Sequence, residues 1–235
     1  DDYQRAFISN ISHDFRSPLT SIHGYAQAML DGTIPYEAQE KYLNIILSET
    51  DRLTNLTSNL LELNSFNGDN VLLDITTFNI CETIVQTVNT LEGTAAKKEI
   101  SFVLDYNTQK ELLVEADESK IHQVLYNLID NAVKFSHNNS EIKISLRKKG
   151  AKVFVSVKDS GIGIPKESLN KVFDRFYKTD ISRGKDKRGT GLGLSISKEI
   201  IQAHNQTINV VSTVDVGTEF VFTLKYHSKK QEASS

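Results

Sequence analysis

Residues 117–135 read DESKIHQVLYNLIDNAVKF, and the reading of this stretch decides the fold around it. Asp117 suits a helix N-cap, and Ile121, Val124, Leu125, Leu128, Ile129 and Val133 recur at helical spacing. The stretch predicts a helix with one strongly apolar side. Asn127 and Asn131 stand four residues apart on it, with Lys134 one turn further and Phe135 beside it. Asparagine is a poor mid-helix residue, and apolar positions surround this pair, so the two amides need partners. A hydrated Mg²⁺ and nucleotide phosphates would supply them. The plainer alternative, two surface or capping amides, loses ground because the helix stays apolar on both sides of them.

Working outward, short β-rich runs alternate with helical ones. Residues 71–78 read as a strand, and Asn79 caps a helix running to about Lys97. Strands are expected at 100–106 and 112–114, and a hairpin at 141–149 and 152–158 around Gly150. A short helix is expected at 166–173, a polar loop after it, a helix over 190–204 and a closing hairpin over 207–226. Grouped strands with intervening helices predict an α/β sandwich, a mixed sheet with helices on one face. The polar residues 229–235 are expected to form a flexible tail.

Upstream the texture differs. Ile8, Ile11, Phe15, Ile22, Tyr25 and Met29 follow steps of three and four, widened by Leu19, Ala26 and Leu30, and Gly32 and Pro35 stop the run. The pattern resumes at Tyr42, Ile46, Leu53, Leu56, Leu60 and Leu63, predicting a second helix over 36–66 and an antiparallel α helical hairpin. Stripes this wide exceed what one partner helix covers, so a homodimer whose hairpins form a four-helix bundle is the economical solution. Packing of both helices on the downstream domain is the competing reading. The polar break Asn67-Gly68-Asp69-Asn70 divides the chain into a hairpin over 1–67 and a domain over 68–228.

Composition limits the function. The chain has 235 residues, 39% of them hydrophobic, and a formal net charge of -3, which gives no global footprint for nucleic acid. A single cysteine, Cys81, rules out an intramolecular disulfide. No run approaches the ~18 apolar residues of a membrane span, so no membrane contact is expected from this segment itself. The chain starts at Asp1 inside an amphipathic pattern, as a piece of a longer protein would. His23, His122, His137, His204 and His227 lack metal-ligand spacing.

Two glycine-rich segments add chemistry. In Asp159-Ser160-Gly161-Ile162-Gly163-Ile164-Pro165 the glycines let the backbone turn and approach a ligand, and Asp159 ends a strand with a carboxylate able to accept from adenine's exocyclic amine. Alone this motif is common in ordinary turns. Arg188-Gly189-Thr190-Gly191-Leu192-Gly193-Leu194 precedes a helix whose first N–H groups suit phosphate. It lacks a P-loop ending and a βαβ context, and a flexible hinge competes if it is read alone.

Taken together these segments resemble one family. Asn127-x-x-x-Asn131-Ala132-x-Lys134-Phe135, Asp159-x-Gly161-x-Gly163, Phe173-Asp174-Arg175-Phe176-Tyr177-Lys178 and Gly189-Thr190-Gly191-Leu192-Gly193-Leu194 are similar to the N, G1, F and G2 boxes of bacterial sensor histidine kinases. Gly217-Thr218-Glu219-Phe220 resembles their last glycine box, and Ser12-His13-Asp14-Phe15-Arg16-Ser17-Pro18-Leu19 their phosphoacceptor box. The match covers nearly the whole chain, in the family's order and spacing.

The resemblance implies a phosphoacceptor hairpin followed by an ATP-binding domain of the GHKL type. It implies ATP and Mg²⁺ as cofactors, with Asn127 as the metal ligand, Asn131 and Lys134 behind the metal and phosphates, and Asp159 on adenine. Phe135, Gly161, Gly163, Ile164, Tyr177, Lys178, Arg188, Gly189, Thr190, Gly191, Leu192, Gly193, Leu194 and Thr218 complete the implied nucleotide site. His13 would attack the γ-phosphate, with Asp14 accepting a proton or fixing the tautomer. Pro18 removes the hydrogen bond to the carbonyl of Asp14 and should bend the helix there. Phosphotransfer to an aspartate on a response regulator receiver domain is implied, and often dephosphorylation of that regulator. The family's phosphatase pattern has Thr or Asn where this chain has Ser17, which points to weakened phosphatase activity. Arg188 stands where the family often has glycine. The resemblance also implies a cytoplasmic location and a membrane-anchored parent. Two other readings compete. Relatives that hydrolyse ATP place glutamate one turn before the first Asn, where this chain has Gln123, which cannot act as a base. A non-catalytic nucleotide-binding scaffold would be expected to have lost His13 or the glycines.

Overall fold

The computed structural model describes residues 2–65, 72–106, 111–179 and 189–228. Helix α1 covers Asp2–Leu30 and runs unbroken through Pro18. Gly32 takes φ +80°, and the Asp31 carboxylate accepts from Thr33 N at 3.0 Å. One 3₁₀ turn, Tyr36–Ala38, then leads into α2, Gln39–Ser65. Pro35 precedes that turn in extended geometry, because proline cannot donate into a preceding helix. The two helices lie against each other, with the Tyr25 and Tyr42 rings 5.1 Å apart.

Downstream come β1 (Thr76–Asn79), α3 (Ile80–Ala96), β2 (Ser101–Asp105), β3 (Leu113–Ala116) and α4 (Glu118–Phe135). They are followed by β4 (Glu141–Lys149), β5 (Lys152–Lys158), α5 (Gly193–Ala203), β6 (Ile208–Thr213) and β7 (Gly217–Tyr226). The sheet order is β1-β3-β7-β5-β4-β2. β2 runs parallel to β4 and the other pairings are antiparallel. β7 pairs with β5 along one edge, while its other edge is shared by β6 and, at Lys225 and Tyr226, by β3. Along β4, Ile142, Ile144 and Leu146 are buried while Glu141 and Lys143 are exposed, so one face of the sheet is covered and the other open.

Helix α4 is the centre of the covered face. It packs against α3, α5 and β5, and Ile121, Val124, Leu125, Leu128, Ile129, Ala132 and Val133 are buried along it. Its ends are fixed independently. At the start Asp117 accepts from Lys120 N, and Asp117 N itself donates to His204 Nε2 at 2.9 Å. At the other end Lys98 Nζ donates to the carbonyls of Val133 and Lys134 at 2.8 and 2.6 Å, satisfying orphan acceptors of the last turn.

Several expectations shift. The strand read over 71–78 is confined, among described residues, to Thr76–Asn79. The helix read over 166–173 is a 3₁₀ turn at Lys166–Ser168 followed by further turns, with Val172 buried and Phe173 edge-on to Phe220 at 6.1 Å. The helix read from 190 starts at Gly193. The apolar stripe of α2 serves two partners. Leu56 and Leu63 are 1% exposed within the single chain and join the buried cluster that holds Ile121, Ile196 and Ile200. Beside them the Glu62 carboxylate accepts from Lys120 Nζ at 2.7 Å and from Gln123 Nε2. The last turns of α2 therefore dock on the helices of the downstream domain, as the competing reading had it. Leu43, Leu47 and Leu61 stay exposed on the same helix.

Candidate active site

Asn127 faces the start of α5. Its Nδ2 donates to Gly193 O at 3.1 Å and lies 3.4 Å from Ser197 Oγ, so two elements 66 residues apart are tied by one amide. All its described hydrogen bonds leave from Nδ2, so Oδ1 keeps its acceptor capacity. A Cβ on Gly193 would sit 3.5 Å from that Oδ1, so only a small residue keeps the approach to it clear. α5 begins without a side-chain cap, and the first N–H groups of a helix have no partner within it.

Asp159 lies just beyond β5, 5% exposed. Gly161 N and Thr218 N donate to its carboxylate at 2.9 and 3.2 Å, both to Oδ1. Oδ2 makes no described hydrogen bond within the fold. Burial pushes the Asp159 carboxyl up to about 6, against the lowering effect of those two N–H groups. Ser212 Oγ links the neighbouring loops, accepting from Ile164 N and contacting both Gly217 O and Thr218 Oγ1 at 2.8 Å.

The glycines here admit a close approach of the protein's own backbone, a contact the sequence did not announce. A Cβ on Gly161 would meet Phe135 O at 2.3 Å; one on Gly163 would meet Thr213 O at 2.1 Å, and Gly163 has φ +67°. Gly163→Ala is expected to lower unfolding free energy by roughly 2–4 kcal/mol, since the strain and the clash are both with main chain. Urea denaturation checks this: a midpoint unchanged from wild type would show that the loop accommodates the methyl group.

Gly191, at φ +70°, receives Phe176 N at 3.0 Å and leaves under 3 Å between a would-be Cβ and the Phe176 carbonyl carbon. The Phe173–Lys178 segment is thus strapped to the glycine loop ahead of α5. Tyr177 Oη donates to Ser168 Oγ at 2.9 Å, and Lys178 Nζ donates to the Gly189 carbonyl.

His13 stands on α1 with its side chain 83% exposed, Nδ1 at 3.5 Å from Asp14 Oδ1. Asp14 is half-buried, Ser17 exposed and Pro18 buried.

Two family models match the chain side by side. Residues 3–68 match the "His Kinase A (phospho-acceptor) domain" and residues 116–228 the "Histidine kinase-, DNA gyrase B-, and HSP90-like ATPase". The sensor histidine kinase WalK of Bacillus subtilis is 35% identical over 99% of this chain. The solved catalytic domain of histidine kinase ThkA is 36% identical, with TM-score 0.58, over 65% of this chain and 96% of that one. This chain belongs to the sensor histidine kinases. ThkA has also been solved in complex with the response regulator protein TrrA; there the identity is 32% and the TM-score 0.76, over 96% of this chain and 63% of that one. The chain spans 38% of the length of the Bacillus relative.

As a sensor histidine kinase the chain carries its boxes in two clusters. One holds Asn127, Thr190, Gly191, Leu192, Gly193 and Leu194, joined by Gly189 through Lys178; the other holds Phe135, Asp159, Gly161, Gly163, Ile164 and Thr218. Helix α4 connects them: Phe135 O accepts from Ile162 N at 3.2 Å. Asn131 is half-buried on the same helix as Asn127, and Lys134 is engaged with Asp130 at 2.7 Å. Arg188 lies outside the described residues. Sequence reading missed Ser197 and Ser212, whose side chains tie box residues together. The position of Ser197, four residues after Gly193 and so on the same helix face, was the available signal.

Proposed function

We propose that this chain is an autokinase core. In the presence of ATP and Mg²⁺ it phosphorylates His13, and the phosphoryl group then passes to an aspartate of a response regulator receiver domain. The observation that carries this reading is the occurrence on one chain of an exposed imidazole beside Asp14 and of two acceptors, Asp159 Oδ2 and Asn127 Oδ1, that make no described hydrogen bond within the fold.

Asp159 Oδ2 holds the exocyclic amine of adenine, and the buried surroundings strengthen that contact. The N–H groups at the start of α5 and the neighbouring glycines receive the phosphates. Asn127 Oδ1 is a hard oxygen donor suited to Mg²⁺, which when bound neutralises phosphate charge. Among described residues there is no cluster of His, Cys, Asp and Glu of metal-site size, which fits a metal held largely by water and phosphates. Lys134 and Lys178 contact phosphate by exchanging Asp130 and the Gly189 carbonyl for it. His13 Nε2 attacks the γ-phosphorus, the bond to the β,γ-bridging oxygen breaks and ADP leaves. Asp14 takes up the Nδ1 proton. Phosphoryl transfer asks chiefly for positioning and charge neutralisation, which these groups provide.

Hydrolysis is disfavoured at one residue. Gln123, where hydrolytic relatives have a base, donates to Glu62, whose two carboxylate oxygens are taken by Gln123 and Lys120. No free base stands there to activate water. Incubation with ATP and Mg²⁺ separates the readings: free phosphate without labelled protein would favour the ATPase, and nucleotide binding without either product a scaffold.

We further propose that the chain is a homodimer through its hairpin, because Ile8, Leu19, Leu43 and Leu47 are 49–62% exposed along it. No described helix is long and apolar enough to cross a membrane; a membrane-anchored parent with this part on the cytoplasmic side remains our reading from the resemblance. Ser17, one turn beyond His13, orients a water for dephosphorylation of the regulator. Ser17→Ala is expected to slow regulator phosphate turnover roughly tenfold, followed as loss of label from the phosphorylated regulator; equal turnover by both proteins would remove Ser17 from that role.

A further inference from the structure

His204 stands at the C-terminal end of α5, and both of its ring nitrogens are engaged. Nε2 accepts from Asp117 N at 2.9 Å, and Nδ1 lies 2.8 Å from Ile200 O. A backbone N–H can only donate and a carbonyl can only accept, so the ring is held as the tautomer with its proton on Nδ1. The contact to Ile200 is local, and that carbonyl also accepts from His204 N at 3.2 Å. The contact to Asp117 joins residues 87 apart in the chain.

Asp117 is itself fixed. It is 7% exposed, and its carboxylate accepts from Ser119 Oγ, from Lys120 N and from Asp74 N. His204 therefore ties the far end of α5 to the start of α4. The near end of α5 has its own tie, where Asn127 Nδ2 donates to Gly193 O. At the rise of an α-helix the two ties stand about 15 Å apart along α4 and about 16 Å apart along α5. Between them the helices pack, with Ile121, Val124, Ile196 and Ile200 in one buried cluster. Apolar contact is non-directional, so the register of α5 on α4 falls to the two hydrogen-bonded ends.

We propose that His204 is a positioning residue for the nucleotide phosphates: without touching the ligand, it fixes where the N-terminus of α5 stands relative to Asn127. This inference rests on the reading of the N–H groups at the start of α5 as the phosphate site, and deepens it. The base end of the site is held differently. Asp159, just beyond β5, is braced by Gly161 N and by Thr218 N of β7, with no bond from α5. Loss of the His204 tie should therefore loosen the grip on phosphate and leave the grip on the base intact.

Two polar variants of the full chain separate reach from polarity. Glutamine can set an acceptor near the place of Nε2, so His204→Gln keeps the tie. Asparagine suits a helix end but stops at the depth of Nδ1, so His204→Asn loses it. ADP and adenosine binding are measured for each by calorimetry. His204→Asn should raise the ADP dissociation constant about three- to tenfold and leave that for adenosine within about twofold, while His204→Gln restores ADP affinity. Equal weakening of both ligands by His204→Asn would mark the residue as structural and overturn the proposal, as would unchanged ADP affinity. Nuclear magnetic resonance of the wild-type ring nitrogens needs no variant: a proton on Nδ1 and none on Nε2 is expected, and a proton on Nε2 would exclude the bond from Asp117 and overturn the proposal. Wild type that binds neither ligand would instead overturn the nucleotide reading itself, and the inference with it.

Discussion

Asp159→Asn is expected to weaken ADP binding by roughly a hundredfold, read by isothermal titration calorimetry at pH 8. The reason lies in how the carboxylate is divided. Oδ1 accepts from Gly161 N and Thr218 N, leaving Oδ2 to accept from adenine. An asparagine that keeps its oxygen on the two backbone donors turns its NH₂ toward the adenine amine, donor against donor. Flipping the amide sets NH₂ against two N–H groups instead. Either way a charge-assisted hydrogen bond is lost and a buried donor goes unpaired, which costs about 2–3 kcal/mol. Affinity within threefold of wild type would mean that Asp159 does not contact the base.

The same residue gives the site a pH dependence. Burial raises the folded carboxyl from 3.8 to about 6, while adenine's amine selects the ionised form. Nucleotide affinity should therefore be flat above pH 7 and fall as pH drops through 6, by about tenfold at pH 5. Stability runs the other way. A carboxyl whose folded value is raised favours the fold when protonated, so its contribution is greatest below 3.8 and is lost as pH rises to 6. Asp159→Asn should remove that loss and leave the nucleotide-free protein at pH 8 no less stable than wild type. A variant that loses both affinity and stability would show that the carboxylate is a structural brace.

Much of this was legible in the chain. The bounds of α4 follow from the Asp117 cap and one apolar stripe, and the β4–β5 hairpin from alternation about Gly150, which adopts φ +62°. Local periodicity carries such information because the residues that repeat also share a face. It does not say what covers the face. Leu56 and Leu63 repeat as a dimer stripe would, yet they are buried on the helices of the ATP domain. Glycine is similarly mute about its neighbour: Gly161 and Gly163 announce a close approach, and only the fold shows that the approaching atoms are Phe135 O and Thr213 O. The turns after Lys166 escaped because buried Val172 and half-buried Phe173 imitate a helical stripe over too few residues to test its period. For Asn127 the reading was half complete. The amide does need partners, but its Nδ2 finds them in Gly193 and Ser197, and only Oδ1 is left for a ligand.

His13→Gln is expected to abolish phosphorylation of the protein. Glutamine retains polarity and reach but has no nucleophilic nitrogen, and at a side chain 83% exposed the exchange should leave the fold within about 0.5 kcal/mol of wild type. Nucleotide affinity should be unchanged, since no described contact joins His13 to the Asp159 or Asn127 clusters. His23→Gln serves as a control that keeps full label. The direct measurement is incubation of wild type and His13→Gln with γ-labelled ATP and Mg²⁺, followed by acid and alkali treatment of the protein. Label on wild type that is acid-labile and alkali-stable, and absent from His13→Gln, is the predicted result. Wild type without label, or label that survives in His13→Gln, would contradict it.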